Sequence, residues 1–248
     1  MTALDLHPVS GRGRLRWSLS DAWVMCRRNL VQIPRTPELL VFSTIQPVMF
    51  VLLFVYVFGG SINTGSIPYR DYLMPGIFVQ TVVFGAMTTG VGLAEDLQKG
   101  LVDRFRALPM SRGALLAGRT LADLVRNVFI VTVMLLVGLA VGFRFHDTTV
   151  IAALAGFAVL LLFAYAFSWI SAVVGLSVRS AEAAQSGGFI WVFPLTFASS
   201  AFVPVANMPG WLQVFARHQP VTQCVNAVRA LLIGGPVTSA ALQSVAWS

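Results

Sequence analysis

The stretch YLMPGIFVQTVVFGAMTTGVGLAEDLQKGLVDRFRALPMSR, residues 72–112, joins two segments of opposite character. Tyr72 to Ala94 carry no charge, whereas Glu95 to Arg112 place seven charged side chains in eighteen positions. A helix of about 20 apolar residues spans the ~30 Å hydrocarbon core of a bilayer. The first part therefore predicts a membrane span, and the second predicts a segment that lies outside the membrane.

The composition of the whole chain agrees with a membrane protein. Hydrophobic residues make up 56% of the 248 residues and charged residues only 11%, whereas soluble domains carry about 25% charged residues. We predict a single all-α, polytopic membrane domain. The net charge of +7 does not indicate a nucleic-acid partner, because the basic residues flank apolar runs as they do in cytoplasmic loops.

The apolar runs predict six spans in residues 39–248, after a cytoplasmic tail and an amphipathic helix in residues 1–38. The spans cover about 39–58, 72–94, 114–143, 149–177, 186–203 and 237 to the end. The last run gives about 18 Å of helix. Two interpretations are open: five spans with a short tail, or a sixth span that continues past Ser248, which we favour.

Two amphipathic segments flank the predicted spans. In the first, Trp23, Cys26, Leu30 and Ile33 form an apolar stripe, typical of a helix at the membrane interface or on a partner protein. In the second, which follows the fifth span, a short helix is predicted from an apolar face of Val221, Val225, Val228 and Leu232.

Thirteen of the 17 Lys and Arg fall on the side of the N-terminus and residues 95–126, which predicts that this side is cytoplasmic.

Catalytic motifs are absent from the sequence. It contains no GxxxxGK[ST] phosphate loop, no HExxH or GxSxG motif, and no Cys/His metal spacing. The predicted spans 1, 2, 4 and 5 contain no ionisable residue, and Asp123 is expected to pair with Arg119 and Arg126 in the amphipathic first turns of the third helix, ahead of its uncharged run 127–143. Cys26 and Cys224 are expected on opposite sides and unpaired. The chain thus lacks its own ATPase and the groups of an ion-coupled carrier.

Residues 95–109 predict a charged helix that ends at Pro109. Apolar side chains recur at helical spacing among charges of both signs, and Gly100 indicates a close approach or a bend. The apolar stripe comprises Leu97, Leu101, Phe105 and Leu108. The helix lies either on lipid headgroups or on a protein, and the mixed charge favours a protein.

Three motifs resemble the ABC-2-type exporter permeases, and in particular their daunorubicin/doxorubicin-resistance branch. They are EDLQKGLVDRFRALPMSR, YLMPGIFVQ and SSAFVPVANMPGWLQVFARHQPVTQCVNAVRALLIGG, in the order of that family. The resemblance implies the ABC-2 (type V) exporter fold with six spans, cytoplasmic termini and a bacterial plasma membrane location. It also implies a second permease, identical or related, and two separate ATPase subunits that bind ATP and Mg²⁺, with no cofactor in this chain.

The resemblance further implies roles for particular segments. Residues 95–109 become the coupling helix, Arg179 to Gln185 a second cytoplasmic contact, the N-terminal helix a connecting helix, and 204–235 re-entrant outer helices that close the exit. The residues expected to contact the ATPase are Glu95, Asp96, Leu97, Gly100, Leu101, Asp103, Arg104, Phe105, Arg106, Leu108, Pro109, Arg179 and Glu182.

The expected function is that of the permease subunit of an ATP-driven exporter, which moves an amphipathic or hydrophobic drug, lipid or glycolipid out of the cytoplasm or inner leaflet. Aromatic and amide residues of spans 1, 2 and 5 are candidates for the substrate path, although packing explains them as well. They are Phe50, Tyr56, Gln80, Phe84, Met87, Phe189 and Phe193. The alternatives are a passive channel and a membrane scaffold.

Overall fold

The computed structural model describes residues 11–32, 37–62, 64–65, 67–101, 113–146 and 148–234, and every regular element among them is helical. The elements are α1 (Gly11–Gln32), α2 (Pro37–Leu52) with a π-helical continuation (Leu53–Phe58), α3 (Tyr69–Gln98), α4 (Ala114–Val141), α5 (Val150–Ser177), α6 (Ala181–Phe197), a 3-10 turn (Val205–Asn207), α7 (Gly210–His218) and α8 (Pro220–Ile233). The all-α fold class is confirmed. The run predicted from residue 237 lies outside the described residues.

Three of the described helices are long and apolar enough to cross a bilayer: α3, α4 from Leu116 onward, and α5. The segment Ser43–Phe58 is apolar but shorter, and α6 has 17 residues. Helix α6 begins earlier than the predicted residue 186, because the Ser180 side chain accepts a hydrogen bond from Ala183 N (3.1 Å) and fixes its first turn. These helices make the chain a polytopic membrane protein.

Helix α3 forms the centre of the bundle and contacts α4, α5, α6 and α8. The most apolar segment of α3 is 78% buried inside the protein, whereas the corresponding segments of α4 and α5 are each 28% buried. Helices α4 and α5 therefore each leave a broad face for lipid. Close packing on α5 depends on Gly90 and Gly175, where an added Cβ would overlap the backbone of the other helix. Small residues at such a crossing let two membrane helices approach closely.

The helix ends group into two regions. At one, α1 and the start of α4 meet where Met25 packs on Gly118, and the end of α3 reaches the α5–α6 junction. At the other, Tyr69 Oη donates to the Phe202 carbonyl (3.0 Å) and Thr148 Oγ1 donates to that of Leu231 (2.6 Å). We call these the inner end and the outer end, after the predicted orientation.

Helix α1 packs on α4 through a face that differs from the predicted stripe. Ala22, Met25 and Cys26 are buried, whereas Trp23 is 64% exposed. The reason is steric, because Gly118 has no Cβ and leaves room for the α1 backbone beside Ala22. Cys26 of the predicted stripe thus faces α4, while Trp23 remains open to the membrane interface or to a partner, where the stripe was predicted to lie.

Candidate coupling site at the inner end

Two segments that are distant in the chain meet at the inner end. Gln98 Nε2, in the last residue of α3, donates a hydrogen bond to the Arg179 carbonyl (3.4 Å) in the α5–α6 junction. Glu182 is exposed in the first turn of α6, where the helix dipole stabilises a carboxylate. The beginning of the predicted coupling segment thus lies beside the second predicted contact.

The predicted coupling helix does not begin as a separate element at Glu95. Glu95, Asp96 and Leu97 belong to the last turn of α3, which ends at Gln98. Gly100 then adopts a φ of +64°, a left-handed conformation that favours glycine, so the chain bends there as the sequence indicated. Leu101 is half-buried. The remaining predicted residues, Asp103, Arg104, Phe105, Arg106, Leu108 and Pro109, lie outside the described part of the chain.

The two carboxylates at the end of α3 have different environments. Glu95 pairs with Lys99 one turn away (3.1 Å), and both side chains are largely exposed. Asp96 pairs with Arg119 of α4 (2.6 Å), and each of these side chains keeps about a fifth of its surface exposed. Glu95 is therefore available to a partner, whereas Asp96, predicted as a contact for the ATPase, is engaged within the fold.

A row of polar contacts, which we call the polar seam, continues from Asp96 along the interface of α3 and α4. Asp123 accepts a hydrogen bond from Thr89 Oγ1 and pairs with Arg126 (3.1 Å). Arg126 Nη2 donates to the Gly85 carbonyl (2.9 Å) and to Thr88 Oγ1 (2.5 Å). The seam comprises Gly85, Thr88, Thr89, Gly92 and Asp96 of α3 and Arg119, Asp123, Arg126 and Asn127 of α4.

The predicted pairing of Asp123 is half correct. Arg126 does pair with it, but the prediction is wrong for Arg119, because the carboxylate of Asp96 lies closer on the neighbouring helix. Asp123 is also buried between the helices, with 9% of its surface exposed. Periodicity along α4 identified its charged face. The partners on α3 include Thr89, an uncharged residue without a sequence signal.

The residues predicted to line a substrate path do not form one group. Gln80 and Met87 are buried in α3, Phe50 and Phe84 are half-buried, and Tyr56, Phe189 and Phe193 are exposed. The structure does bring Phe84 and Phe189 together, with ring centroids 6.0 Å apart across α3 and α6. It also links Phe50 and Phe193 through a series of ring contacts that sequence reasoning missed, formed by Phe54, Phe197 and Phe202.

A second polar cluster, which we call the outer hub, surrounds Arg229 of α8. Its guanidinium lies over the Tyr72 ring (3.7 Å) and donates to the carbonyls of Tyr72 (3.2 Å) and Ser200 (2.8 Å) and to Asn226 Oδ1 (3.2 Å). No carboxylate among the described residues pairs with it. The sequence predicted the buried apolar face of α8 correctly, since all four of its residues are fully buried. It gave no signal that Arg229 of the same helix joins a polar cluster.

Long apolar helices around a central α3, joined by ion pairs inside a helix interface, define a polytopic integral membrane protein. The sequence pattern of the protein family described as ABC-2 type transporter matches residues 20–233. The chain belongs to the ABC-2 type transporter family, whose members named below are membrane permeases.

In the part of the chain that the structure describes, no cluster of His, Cys, Asp and Glu is suited to a metal ion.

Curated relatives narrow the resemblance to drug-resistance permeases. The daunorubicin resistance ABC transporter permease protein DrrB1 of Streptomyces coeruleorubidus is 34% identical over 217 residues, which cover 88% of this chain and 75% of that protein. The probable doxorubicin resistance ABC transporter permease protein DrrC of Mycobacterium tuberculosis is 25% identical over 252 residues, covering 99% and 90%. The doxorubicin resistance permease DrrB of the same organism is 29% identical over 238 residues, covering 91% and 79%. The resemblance drawn from the three motifs is confirmed.

Proposed function

We propose that this chain is the transmembrane subunit of an ATP-driven exporter and that its inner end receives movement from separate ATPase subunits. The main observation behind this proposal is the hydrogen bond from Gln98 to the Arg179 carbonyl, which holds the end of α3 beside the α5–α6 junction. The start of α4 is tied to the same place by the Asp96–Arg119 pair. A protein bound at this end therefore contacts the ends of four helices together.

The proposed partners are two ATPase subunits, which supply bound ATP and Mg²⁺, and a second permease that completes the pore. Permease proteins of ABC transporters among the relatives support ATPase partners for this chain. The exposed apolar side chains of α2 and α6, among them Ile45, Met49 and Ile190, provide faces for lipid and for that second permease. The whole complex lies in the bacterial plasma membrane, with the inner end in the cytoplasm.

The proposed substrate is an amphipathic or hydrophobic molecule of drug, lipid or glycolipid type. Two observations support this choice: the relatives are named for daunorubicin and doxorubicin resistance, and phenylalanine rings extend continuously from α2 to α6. Phe193 and Phe197 stack at 4.3 Å, and Phe54 and Phe202 at 4.6 Å. Aromatic faces bind flat apolar groups without requiring a specific hydrogen-bond pattern.

Site-specific crosslinking to the partner ATPase in a copurified complex tests the docking surface. A photoreactive residue is placed at Gln98, exposed at the inner end, and as a control at Ser61, exposed at the outer end. We expect the ATPase to crosslink at position 98 and not at position 61. Equal crosslinking at both positions, or none at 98 in a complex that copurifies, would contradict the proposed docking.

The same complex, reconstituted in vesicles, separates the exporter from its alternatives. An exporter accumulates substrate in the lumen of inside-out vesicles when ATP is added and stops when hydrolysis is blocked by vanadate. A passive channel dissipates a substrate gradient with or without ATP. A membrane scaffold does neither, so either of these outcomes would replace the proposal.

A further inference from the structure

We infer that the polar seam makes α3 and α4 a single rigid lever, and that its residues position the coupling segment between them. They are positioning residues, because the side chains of the seam contact one another and not a substrate. The inference rests on the proposed function, since a lever requires a partner that moves its inner end. It adds which helices move as a unit and which side chains hold them.

The seam extends along a large part of both helices. From Gly85 to Asp96 it covers about 17 Å at a rise of 1.5 Å per residue, roughly half of the ~30 Å hydrocarbon core. Its contacts follow one antiparallel register, from the Asp96–Arg119 pair to Asp123 with Thr89. It therefore connects the bend after α3 to the middle of the membrane without interruption.

Specific charges prevent the two helices from sliding. A shift of one helical turn, about 5.4 Å, would separate Asp96 from Arg119 and move Arg126 away from the Gly85 carbonyl. An ionised side chain without a partner is expensive inside a membrane. Side chains that must find particular partners thus fix the register of α3 and α4.

Among the described residues, no ion pair joins α3 to its other neighbours in the same half of the bundle. Its crossing with α5 is made by Gly90 and Gly175, and its contact with α6 by Met87 and Gly188. These contacts are apolar or made by backbone, and at the inner end Gln98 adds one hydrogen bond to the Arg179 carbonyl, so a small shift leaves no charge unpaired. Charged side chains therefore fix the register of α3 on α4, and not its register on α5 or α6.

Stability alone does not explain the charges of the seam. The Asn127 amide and Arg126 Nε are buried without hydrogen-bond partners among the described residues, and unpaired buried groups reduce stability. Replacing a buried ion pair by apolar residues of similar size often leaves stability unchanged or raises it, whereas ion pairs are well suited to specifying register. The seam fits the second purpose.

The test replaces the central pair by apolar residues of similar size, in the double variant Asp123→Leu with Arg126→Met. Its control is Thr132→Val, which removes a hydroxyl from α4 away from the seam. Spin labels at Gln98 and Leu136, both exposed, report the distance between the inner end of α3 and the outer half of α4. We expect a narrow distance distribution in the parent and in the control. In the double variant we expect the distribution to broaden by up to about 5 Å, which is one helical turn.

Transport provides the second readout in the reconstituted complex. The double variant is expected to melt within a few degrees of the parent and to keep basal ATP hydrolysis, yet to export about tenfold less substrate per ATP, the range of typical coupling effects. Exchange of the pair closest to the inner end, Asp96→Arg with Arg119→Asp, should restore the narrow distances that each single change broadens.

Three results would overturn the lever. One is a distribution in the double variant as narrow as in the parent, and another is unchanged export per ATP. The third is a loss of melting temperature and of complex assembly large enough to explain the defect, which would make the seam structural. If the parent complex shows no ATP-driven export, the proposed function fails, while the spin-label distances still decide whether α3 and α4 are rigidly joined.

Discussion

In the inner half of the bundle, α3 and α4 are joined by side chains of both charge signs, whereas at the outer end one arginine holds a turn through backbone carbonyls. The seam pairs Asp96 with Arg119 and Asp123 with Arg126. The outer hub connects Arg229 to the carbonyls of Tyr72 and Ser200. Both clusters are polar and enclosed by helices, but the seam fixes the register of two helices, whereas the hub fixes the position of a turn.

Carbonyl groups repeat at every residue, so a guanidinium that binds them selects a place where the backbone is accessible. In the outer hub these places are the turn after α6, at Ser200, and the first turn of α3, at Tyr72. Paired side chains occur at chosen positions, so they select one register between two continuous helices. The inner half is thus suited to carrying a movement, and the outer end to holding short helices over the bundle.

The largest expected difference between the two ends is their access to water on the two sides of the membrane. Lys99→Cys at the inner end and Ser61→Cys at the outer end are both exposed positions. With a membrane-impermeant maleimide on intact cells, we expect position 61 to label fully and position 99 only after permeabilisation. The reverse pattern would place the proposed docking surface outside the cell.

Native cysteines should contribute little to this labelling. Cys26 and Cys224 are buried and unpaired, and burial raises the pKa of the Cys26 thiol, which lowers the fraction of reactive thiolate. The parent chain without an added cysteine is therefore the blank.

Removal of the hub arginine should give the next largest effect. Arg229→Met removes the guanidinium that donates to the Ser200 carbonyl and to Asn226 Oδ1 and lies over the Tyr72 ring, and hydrogen bonds to charged groups contribute about 1.5–3 kcal/mol. We expect a loss of about 3 kcal/mol in the free energy of unfolding, measured in detergent by thermal or denaturant unfolding. Arg217→Met, at an exposed position of α7 in the same end, is the control and should change it by about 0.5 kcal/mol or less.

Two glycines of α3 allow the same substitution to be compared at both ends. A Cβ at Gly76 would overlap the backbone carbonyl of Ala201, whereas one at Gly92 would overlap the tip of the Arg119 side chain. Backbone cannot move aside as a side chain can, so Gly76→Ala should cost about 1–3 kcal/mol and Gly92→Ala less. Gly187→Ala, which meets nothing within 4 Å, should be neutral or stabilising. A larger loss at Gly92 than at Gly76 would show that the seam is the less adaptable region.

The sequence predicted those parts of the fold that depend on one segment at a time. The long apolar runs became α3, α4 and α5, and the face of Val221, Val225 and Val228 became buried in α8. These predictions succeed because the length and periodicity of a single helix are set by its own residues.

Contacts between helices were beyond the reach of such reasoning. Nothing in the sequence separates Arg229, half-buried in the outer hub, from Arg217, exposed on α7, since both follow short apolar stretches of the same region. Likewise Thr88 and Thr89 are ordinary span residues until α4 brings Asp123 and Arg126 beside them. The register of two helices depends on the packing of both, and a single sequence does not display it.

The measurement that tests the central claim most directly is export per ATP hydrolysed by the reconstituted complex, with Phe105→Ala compared with Phe145→Ala. Phe105 is the sequence-predicted anchor of the coupling segment, where full burial against the ATPase would contribute about 1.5–3 kcal/mol. Phe145 is a partly exposed aromatic residue of the outer end. We predict that Phe105→Ala abolishes export and the stimulation of ATP hydrolysis by substrate, while Phe145→Ala exports like the parent. Equal export by the two variants, in complexes that assemble equally, would contradict coupling through the inner end.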